Sequence, residues 1–390
     1  MLDRLFLYSG CLMVGEAGST PRLALACWDY SWLTRRDGRA SEYRDLDKVF
    51  AELAERGYNA LRLDPFPHLL ARGESGLTQD RFDVLPEGLD LRRGARVPVQ
   101  VQPRKTLVEM LRRARAHGIS LWLTSWFMPD TQARRSFVRR PQDFVRVWAE
   151  TLAFIENEGY ADLILGVDFC HEFPQAPCAH GAYRRIFASH PRNPLPQMLG
   201  WSGGVCRRVE EYLLEVPRSL RALYPHYRYG VSVAATQEDN IRQLDTSELD
   251  FLDTHAWLSD DPRFRFASGE MLTPVAPAVA SRLQSRVAAL LYRARQSQWS
   301  RRAGRRLHQQ AEFARMRRLA PILGEGYVHD ARESALDWDW VRLVSEHMVM
   351  AALEEGIPVI TTGLHARPHS PGFWEDVAWH QRLTTMIREA

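Results

Sequence analysis

The sequence predicts an α/β fold of the closed (β/α)8 barrel kind. Three observations carry that expectation: a helix–glycine–strand cassette that occurs four times, eight short apolar runs spread over 390 residues, and no nucleotide-binding glycine motif after any of those runs. The first cassette begins at Asp45 to Arg56, where Leu46, Val49, Phe50 and Leu53 share a helical face. Gly57 supplies a left-handed stop, and Asn59 to Leu63 reads as a buried strand. The second opens on Thr106 with Glu109 three residues on, a capping box. It carries Leu107, Met110, Leu111 and Ala114 on one face, stops at Gly118 and continues into Leu121 to Leu123. Val145 to Glu158 leads through Gly159 to Leu163–Val167, and Val344 to Glu355 leads through Gly356 to Pro358–Thr361.

Leu23–Cys27, Tyr229–Val233, Leu252–Thr254 and Ile322–Gly324 bring the strands to eight. Strands that alternate with helices pair in parallel, because each crossover returns the chain to the same end of the sheet, and eight such units close a barrel. A doubly wound open sheet is the alternative, and the absence of G-x-G-x-x-G and G-x-x-x-x-G-K-[ST] leaves nothing to favour it. Pro262 to Leu319, an arginine-rich stretch around Leu283, Val287, Leu290 and Leu291, is longer than one crossover needs. It reads as an elaborated sixth crossover exposed on its arginine face, within a single domain spanning 1–390.

Composition narrows the function. With 45% hydrophobic and 25% charged residues the chain is an ordinary globular one, and 51 basic against 48 acidic residues leave no basic excess for a nucleic-acid partner. No stretch approaches the roughly 18 uncharged apolar residues of a membrane span. Five cysteines, at 11, 27, 170, 178 and 206, are odd in number and sparse, with Cys27 and Cys170 in apolar runs. Together with an N-terminus, Met1 to Leu7, that lacks a clean charged-then-apolar pattern, they point to a reducing, cytoplasmic compartment.

In a barrel of this kind, chemistry sits at the carboxyl ends of the strands. Those ends carry Trp28, Asp29, Tyr30 and Trp32; Arg62 and Asp64 with His68 beyond; Ser125 and Trp126; Asp168, His171 and Glu172; Thr254, His255 and Trp257; Glu325 and Tyr327; and His365, His369 and Trp374. Two glutamates on strands four and seven among aromatic rings suit glycosidic cleavage, in which one carboxylic acid protonates the leaving oxygen and the other attacks the anomeric carbon. Sugar rings stack their C–H faces on tryptophan, while their hydroxyls need a few fixed donors and acceptors.

The placement of Glu172 and Glu325 resembles the retaining (β/α)8 glycoside hydrolases, and the chain is more closely similar to the sugar-binding cellulase-like family within that clan. The closer resemblance rests on Trp28 to Leu33, Gly57 to His68, Val167 to Phe173, Gly372 to Asp376 and Trp379 to Thr384. It implies Glu172 as acid/base and Glu325 as nucleophile, a carbohydrate or glycoconjugate substrate, and no cofactor. Trp28, Asp29, Arg62, His68, Trp126, His171, His255, Trp257, Tyr327 and Trp374 are the implied substrate-binding set. Two positions depart from the clan. His171 stands where it has Asn before the acid/base, and Trp257 stands where its His-x-Tyr has tyrosine, so Arg62 becomes the candidate to orient Glu325. For His171 to share the pocket with Glu172, the strand must be irregular near Cys170, because successive side chains otherwise point to opposite faces.

Blander readings stand beside these. The glutamates can be surface acids, Arg62 can neutralise Asp64, the tryptophans can be barrel-mouth core, and His255 can be a structural histidine. A carbohydrate-binding barrel without turnover is the alternative of another class. A metal-dependent barrel hydrolase is the third reading; Cys170, His171, Cys178 and His180 are too loosely spaced for a zinc site, so no metal is assigned. Sugar identity, linkage, endo or exo action and oligomeric state are set by shape rather than by motif.

Overall fold

The computed structural model describes residues 22–36, 41–73, 75–86, 94–193, 195–270, 278–328 and 337–390. The N-terminal stretch Met1 to Leu7 and Cys11 lie outside them. Eight parallel strands form a closed barrel: β1 (Leu23–Asp29), β2 (Ala60–Leu63), β3 (Ser120–Thr124), β4 (Ile164–Asp168), β5 (Tyr229–Val233), β6 (Phe251–Thr254), β7 (Ala320–Leu323) and β8 (Val359–Thr361). Each pairs with its neighbours in sequence, and β1 closes on β8. The expected (β/α)8 class is therefore the observed one.

The two-residue period of a strand explains how the barrel interior is filled. Leu25, Ala60, Trp122, Phe251, Ala320, Ile322 and Val359 form an apolar cluster inside it. Gly166 and Gly230 leave the space that the Trp122 and Phe251 rings occupy, 4.5 Å apart edge to face. Two residues further along, the same inward positions become polar or small: Cys27, Arg62, Thr124, Asp168, Ser232, Asp253, Gly324 and Thr361. The apolar layer seals the base of the barrel, and the polar layer above it carries the candidate site.

The larger core lies between barrel and helices. Helix α1 (Leu46–Glu55) is capped by Asp45, which accepts from the Lys48 amide, and it buries the expected Leu46, Val49, Phe50 and Leu53. Helix α2 (Pro103–Ala116) starts three residues before the Thr106 capping box suggested. Proline at the first helical position is pre-set for helix and wins, leaving Thr106 buried within the first turns. Helix α3 (Pro141–Asn157) also begins at a proline, ahead of the expected Val145. Helix α4 is Gly203–Leu223, and α7 (Trp338–Glu354) and α8 (Val377–Glu389) follow the last two strands.

The sixth crossover carries a short helix, Pro262–Ala267, then α5 (Ala278–Ala294) and α6 (Gln296–Met316). Its exposed side is not purely arginine. Leu283, Val287 and Leu290 point outward, while Ser285, Ala288, Ala289 and Tyr292 form the buried side of α5. Among the described residues, no helix is long and apolar enough to cross a membrane.

Candidate active site

Arg62 is the centre of the polar layer, and none of its side chain is exposed. Its Nη1 donates to Glu325 Oε2 at 3.0 Å, and its Nη2 reaches Asp168 Oδ2 at 3.2 Å and Ser232 Oγ at 3.3 Å. Its Nε lies 3.5 Å from Asp253 Oδ2. Burial lowers the guanidinium's proton affinity; Asp253, Cys27, Glu325 and Asp168 outweigh that and hold it firmly charged. Asp64 is not its partner. The Asp64 oxygens accept the backbone N–H groups of Phe66 (2.6 Å) and Trp126 (2.8 Å), and burial, against those bonds, raises its carboxyl to about 7.

Glu325 follows β7 and is almost wholly buried. Besides Arg62, its Oε2 lies 4.0 Å from the Cys27 sulfur and 3.9 Å from His171 Nδ1. Glu172 follows β4 in a more open position, with 17% of its side chain exposed. Its Oε1 meets His255 Nδ1 at 2.8 Å, and its Oε2 lies 3.9 Å from His171 Nε2. Two strand ends, one buried and one half-open, thus bring the carboxylates to the same imidazole.

The chain after β4 is irregular, as a shared pocket requires. Phe169 N bonds Gly230 O and Phe173 N bonds Ser232 O, so four residues advance on one side against two on the other. Glu172 itself takes a left-handed backbone, φ 47°, uncommon for a residue with a side chain. Its N–H donates to Ser232 Oγ at 2.8 Å, and the His171 N–H donates to Ser125 O, so the distortion is held by bonds to both neighbouring strands. The turn delivers His171 to the interior, stacked on Trp126 with ring centres 4.2 Å apart. Arg62 Nη2 donates to His171 Nδ1 at 3.2 Å, which assigns the ring hydrogen to Nε2, on the side of Glu172.

His255 is fully buried between the two acidic neighbours of its ring. Burial alone would lower its proton affinity; the contacts with Asp253 (3.8 Å from Nε2) and Glu172, aided by the charge of Glu325, instead raise it to about 10. Asp253 is held below the usual carboxylate range against burial, first by Arg62 and then by His255 and the Gly324 N–H. A Cβ at Gly324 would overlap the Asp253 carboxylate, so glycine there is a condition of this arrangement.

Arg62, Trp126, His171 and His255 therefore gather around Glu172 and Glu325. Trp257 is half-buried near Glu172's strand-six partner, on a two-residue strand with Ala256 that pairs in parallel with Gly326 and Tyr327. The Tyr327 hydroxyl donates to Thr361 O, and burial raises it well above its ordinary value. The other expected residues pack elsewhere. Trp28 lies edge-on to Tyr43 and Phe50, and Asp29 binds Ser31 and Arg367. His68 donates to Met128 O, and Trp374 bonds Glu52 and stacks on Tyr58.

Residues missed from the sequence are Ser232, Asp253 and Thr124, and Asp168, placed at its strand end, was given no role. Asp168 Oδ2 accepts from Thr124 Oγ1 and Ser232 Oγ, both at 2.6 Å. The available signal was an acid inside a buried apolar run, as in Phe251-Leu252-Asp253-Thr254, since a charge is buried only where it is paired.

Among the described residues, His171, Glu172 and His255 form the cluster whose donor atoms converge, within 4.8 Å. These side chains already serve one another and Arg62: His171 Nδ1 accepts from Arg62 Nη2 at 3.2 Å, and His255 Nδ1 meets Glu172 Oε1 at 2.8 Å. Cys170, whose sulfur lies 3.8 Å from the His171 carbonyl, Cys178 and His180 do not join that cluster.

The sequence profile of the family described as sugar-binding cellulase-like matches residues 25–388, and the chain belongs to that family. A Parabacteroides distasonis protein provisionally described as a glycoside hydrolase has a solved structure with a TM-score of 0.80. It is 26% identical over 94% of this chain and 93% of its own. The endocellulase of Pyrococcus horikoshii, solved with cellotetraose, has a TM-score of 0.51 at 13% identity over 94% and 93%. An exo-β-1,4-mannosidase from Opitutaceae bacterium strain TAV5 has a TM-score of 0.50 at 11% identity over 96% of this chain and 61% of its own. These last two are likenesses of fold alone. No curated protein matches the chain in sequence.

Proposed function

We propose that this member of the sugar-binding cellulase-like family is a retaining glycoside hydrolase, acting on a carbohydrate or glycoconjugate by double displacement. Glu325 is the nucleophile and Glu172 the acid/base. The observation that carries the reading is the contrast between the two carboxylates around one imidazole: Glu325 is buried against Arg62 at 3.0 Å, and Glu172 is half-open against His255 at 2.8 Å. A carboxylate held ionised beside a buried guanidinium can attack the anomeric carbon. A partly exposed carboxyl group hydrogen-bonded to an imidazole can give a proton to the leaving oxygen and later take one from water.

The half-buried Trp257 supplies a ring face for sugar C–H groups, Trp126 backs the His171 ring, and the His171 Nε2–H is the donor offered to a sugar hydroxyl in the place where the clan has Asn. No step calls for a cofactor.

The test is a screen of aryl glycosides and polysaccharides with the parent and Glu325→Gln proteins. Turnover by the parent with retained anomeric configuration, read by proton NMR, and a loss of at least a thousandfold in Glu325→Gln is the expected result. An inverted product overturns the double displacement. The family's sugar-binding description supports one rival, a binding barrel without turnover. Equal sugar affinity in both proteins with no hydrolysis by either would decide for that rival.

A further inference from the structure

We infer that Asp253 is a positioning residue shared by both halves of the site, holding Glu172 through His255 and Glu325 through Arg62 and the backbone at Gly324. The inference rests on the assignment of Glu172 and Glu325 as the reacting carboxylates.

Asp253 lies in the middle of β6, fully buried, two residues before His255. Its Oδ2 is 3.8 Å from His255 Nε2 and 3.5 Å from Arg62 Nε, ionic contacts rather than hydrogen bonds at those lengths. Its Oδ1 accepts the Gly324 N–H at 2.7 Å, on the residue that immediately precedes Glu325. From each contact the chain of bonds runs on to a carboxylate: His255 Nδ1 to Glu172 at 2.8 Å, Arg62 Nη1 to Glu325 at 3.0 Å, and Gly324 to Glu325 by one peptide link.

The chemistry follows from which nitrogen faces which acid. The Asp253 charge stands on the Nε2 side of His255, so Nδ1, 2.8 Å from Glu172, is the position that exchanges a proton with it. This is the geometry in which a buried acid orients an imidazole toward the group that does the proton transfer. The charged and titratable groups that face His255 are Glu172 after β4, Asp253 on its own strand, Glu325 after β7, the His171 ring at 5.0 Å, and Arg62 on the far side of Asp253. Of the acids, Asp253 faces Nε2. A residue there whose side chain is neutral leaves the imidazole with its remaining partners only, and loosens Arg62 at its Nε.

Asp253→Asn keeps the shape and removes the charge. The His255 imidazole resonance, identified by its loss in His255→Gln, is followed by NMR from pH 5 to 10.5 in the parent and the variant. The expected result is a midpoint at least one pH unit lower in Asp253→Asn, a tenfold loss of proton affinity. The turnover profile against pH moves with it, and kcat falls at least tenfold with little change in KM. Gly324→Ala, which crowds the same carboxylate, lowers the midpoint in the same direction. An unchanged midpoint and an unmoved pH profile in Asp253→Asn, with only a lowered denaturation midpoint, overturn the inference and leave Asp253 a packing residue. A parent that turns over no glycoside and matches Glu325→Gln throughout overturns the hydrolase reading instead, and the NMR titration still decides Asp253.

Discussion

Arg62 meets Glu325 at 3.0 Å with none of its side chain exposed; on the outer surface, Arg218 of α4 meets Glu248 at the same 3.0 Å with 63% of its side chain exposed. The distances match and the surroundings do not. In water the attraction of a unit pair is screened to a fraction of its value, and holding two long side chains together costs entropy, so an outer pair contributes little. Inside the barrel the same pair has surrendered its hydration, and each charge depends on the others to stay where it is. Among the described residues many ion pairs lie at the surface, whereas around Arg62 removing a single member leaves several charges uncompensated. Burial, rather than contact length, ranks the arginines.

The comparison breaks most directly at Arg62. Arg62→Met should cost about 3–5 kcal/mol of stability in urea denaturation and abolish turnover, because it leaves Glu325, Asp168 and Asp253 buried without their cation. Arg62→Lys should recover part of the stability and none of the activity, since an ammonium cannot fork to several acceptors at once. A stable, active Arg62→Met protein would erase the difference between the inner and outer clusters.

A smaller effect is expected at His171, which accepts from Arg62 on one nitrogen and faces Glu172 with the other. His171→Ala should lose about 3 kcal/mol of transition-state stabilisation, a hundredfold or more in kcat/KM, as one preorganised donor disappears. His171→Asn, which restores the clan's usual residue, should keep turnover and change the ranking of substrates in an aryl-glycoside panel.

The next test sharpens the comparison with a buried group outside the cluster. His380 of α8 accepts from the Tyr58 hydroxyl at Nδ1 (2.8 Å) and donates to Phe373 O from Nε2 (3.0 Å), a neutral ring with both positions filled. Burial lowers its proton affinity to about 3, from an ordinary 6.5, and His68 is lowered likewise by burial to about 3. Between those pH values the unfolded chain binds the proton and the folded chain does not, so stability present above pH 6.5 is lost as the pH falls. The loss is about 2 kcal/mol per histidine by pH 5. His380→Gln should therefore be less stable than the parent at pH 7, with the gap closing by about that amount at pH 5, measured by denaturant midpoints. His255, raised rather than lowered, works in the opposite direction: its share of stability is complete below pH 6.5 and is lost as the pH climbs through about 10.

The smallest effect belongs to the outer shell. Arg218→Ala should change stability by under about 1 kcal/mol and by nothing measurable at 1 M salt, where exposed charges are screened within about 3 Å. A larger loss would place the surface pairs in the same class as Arg62.

The cassettes and their stops were legible because they are short-range. Gly57, with φ 79° and no room for a Cβ beside Thr384, ends the first helix unit as its sequence position implies, and the eight apolar runs became the eight strands within two or three residues at either end. The strand-end location of Glu172 and Glu325, and the strand-two location of Arg62, followed from counting along those runs. Placement at a strand end did not decide direction. Trp28, Asp29, His68 and Trp374 carry the right residue types at the right end of the barrel, yet turn into packing against α1, Tyr43 and the loops. Nor could counting pair Asp253 with Arg62 and Gly324, or Asp168 with Ser232 and Thr124, residues 44 to 191 positions apart in the chain. Local sequence sets backbone preference and the two-residue alternation of side chains, and these determine elements and layers. Which inward residues stand opposite one another depends on the register of eight strands, and that register exists only once the barrel has closed.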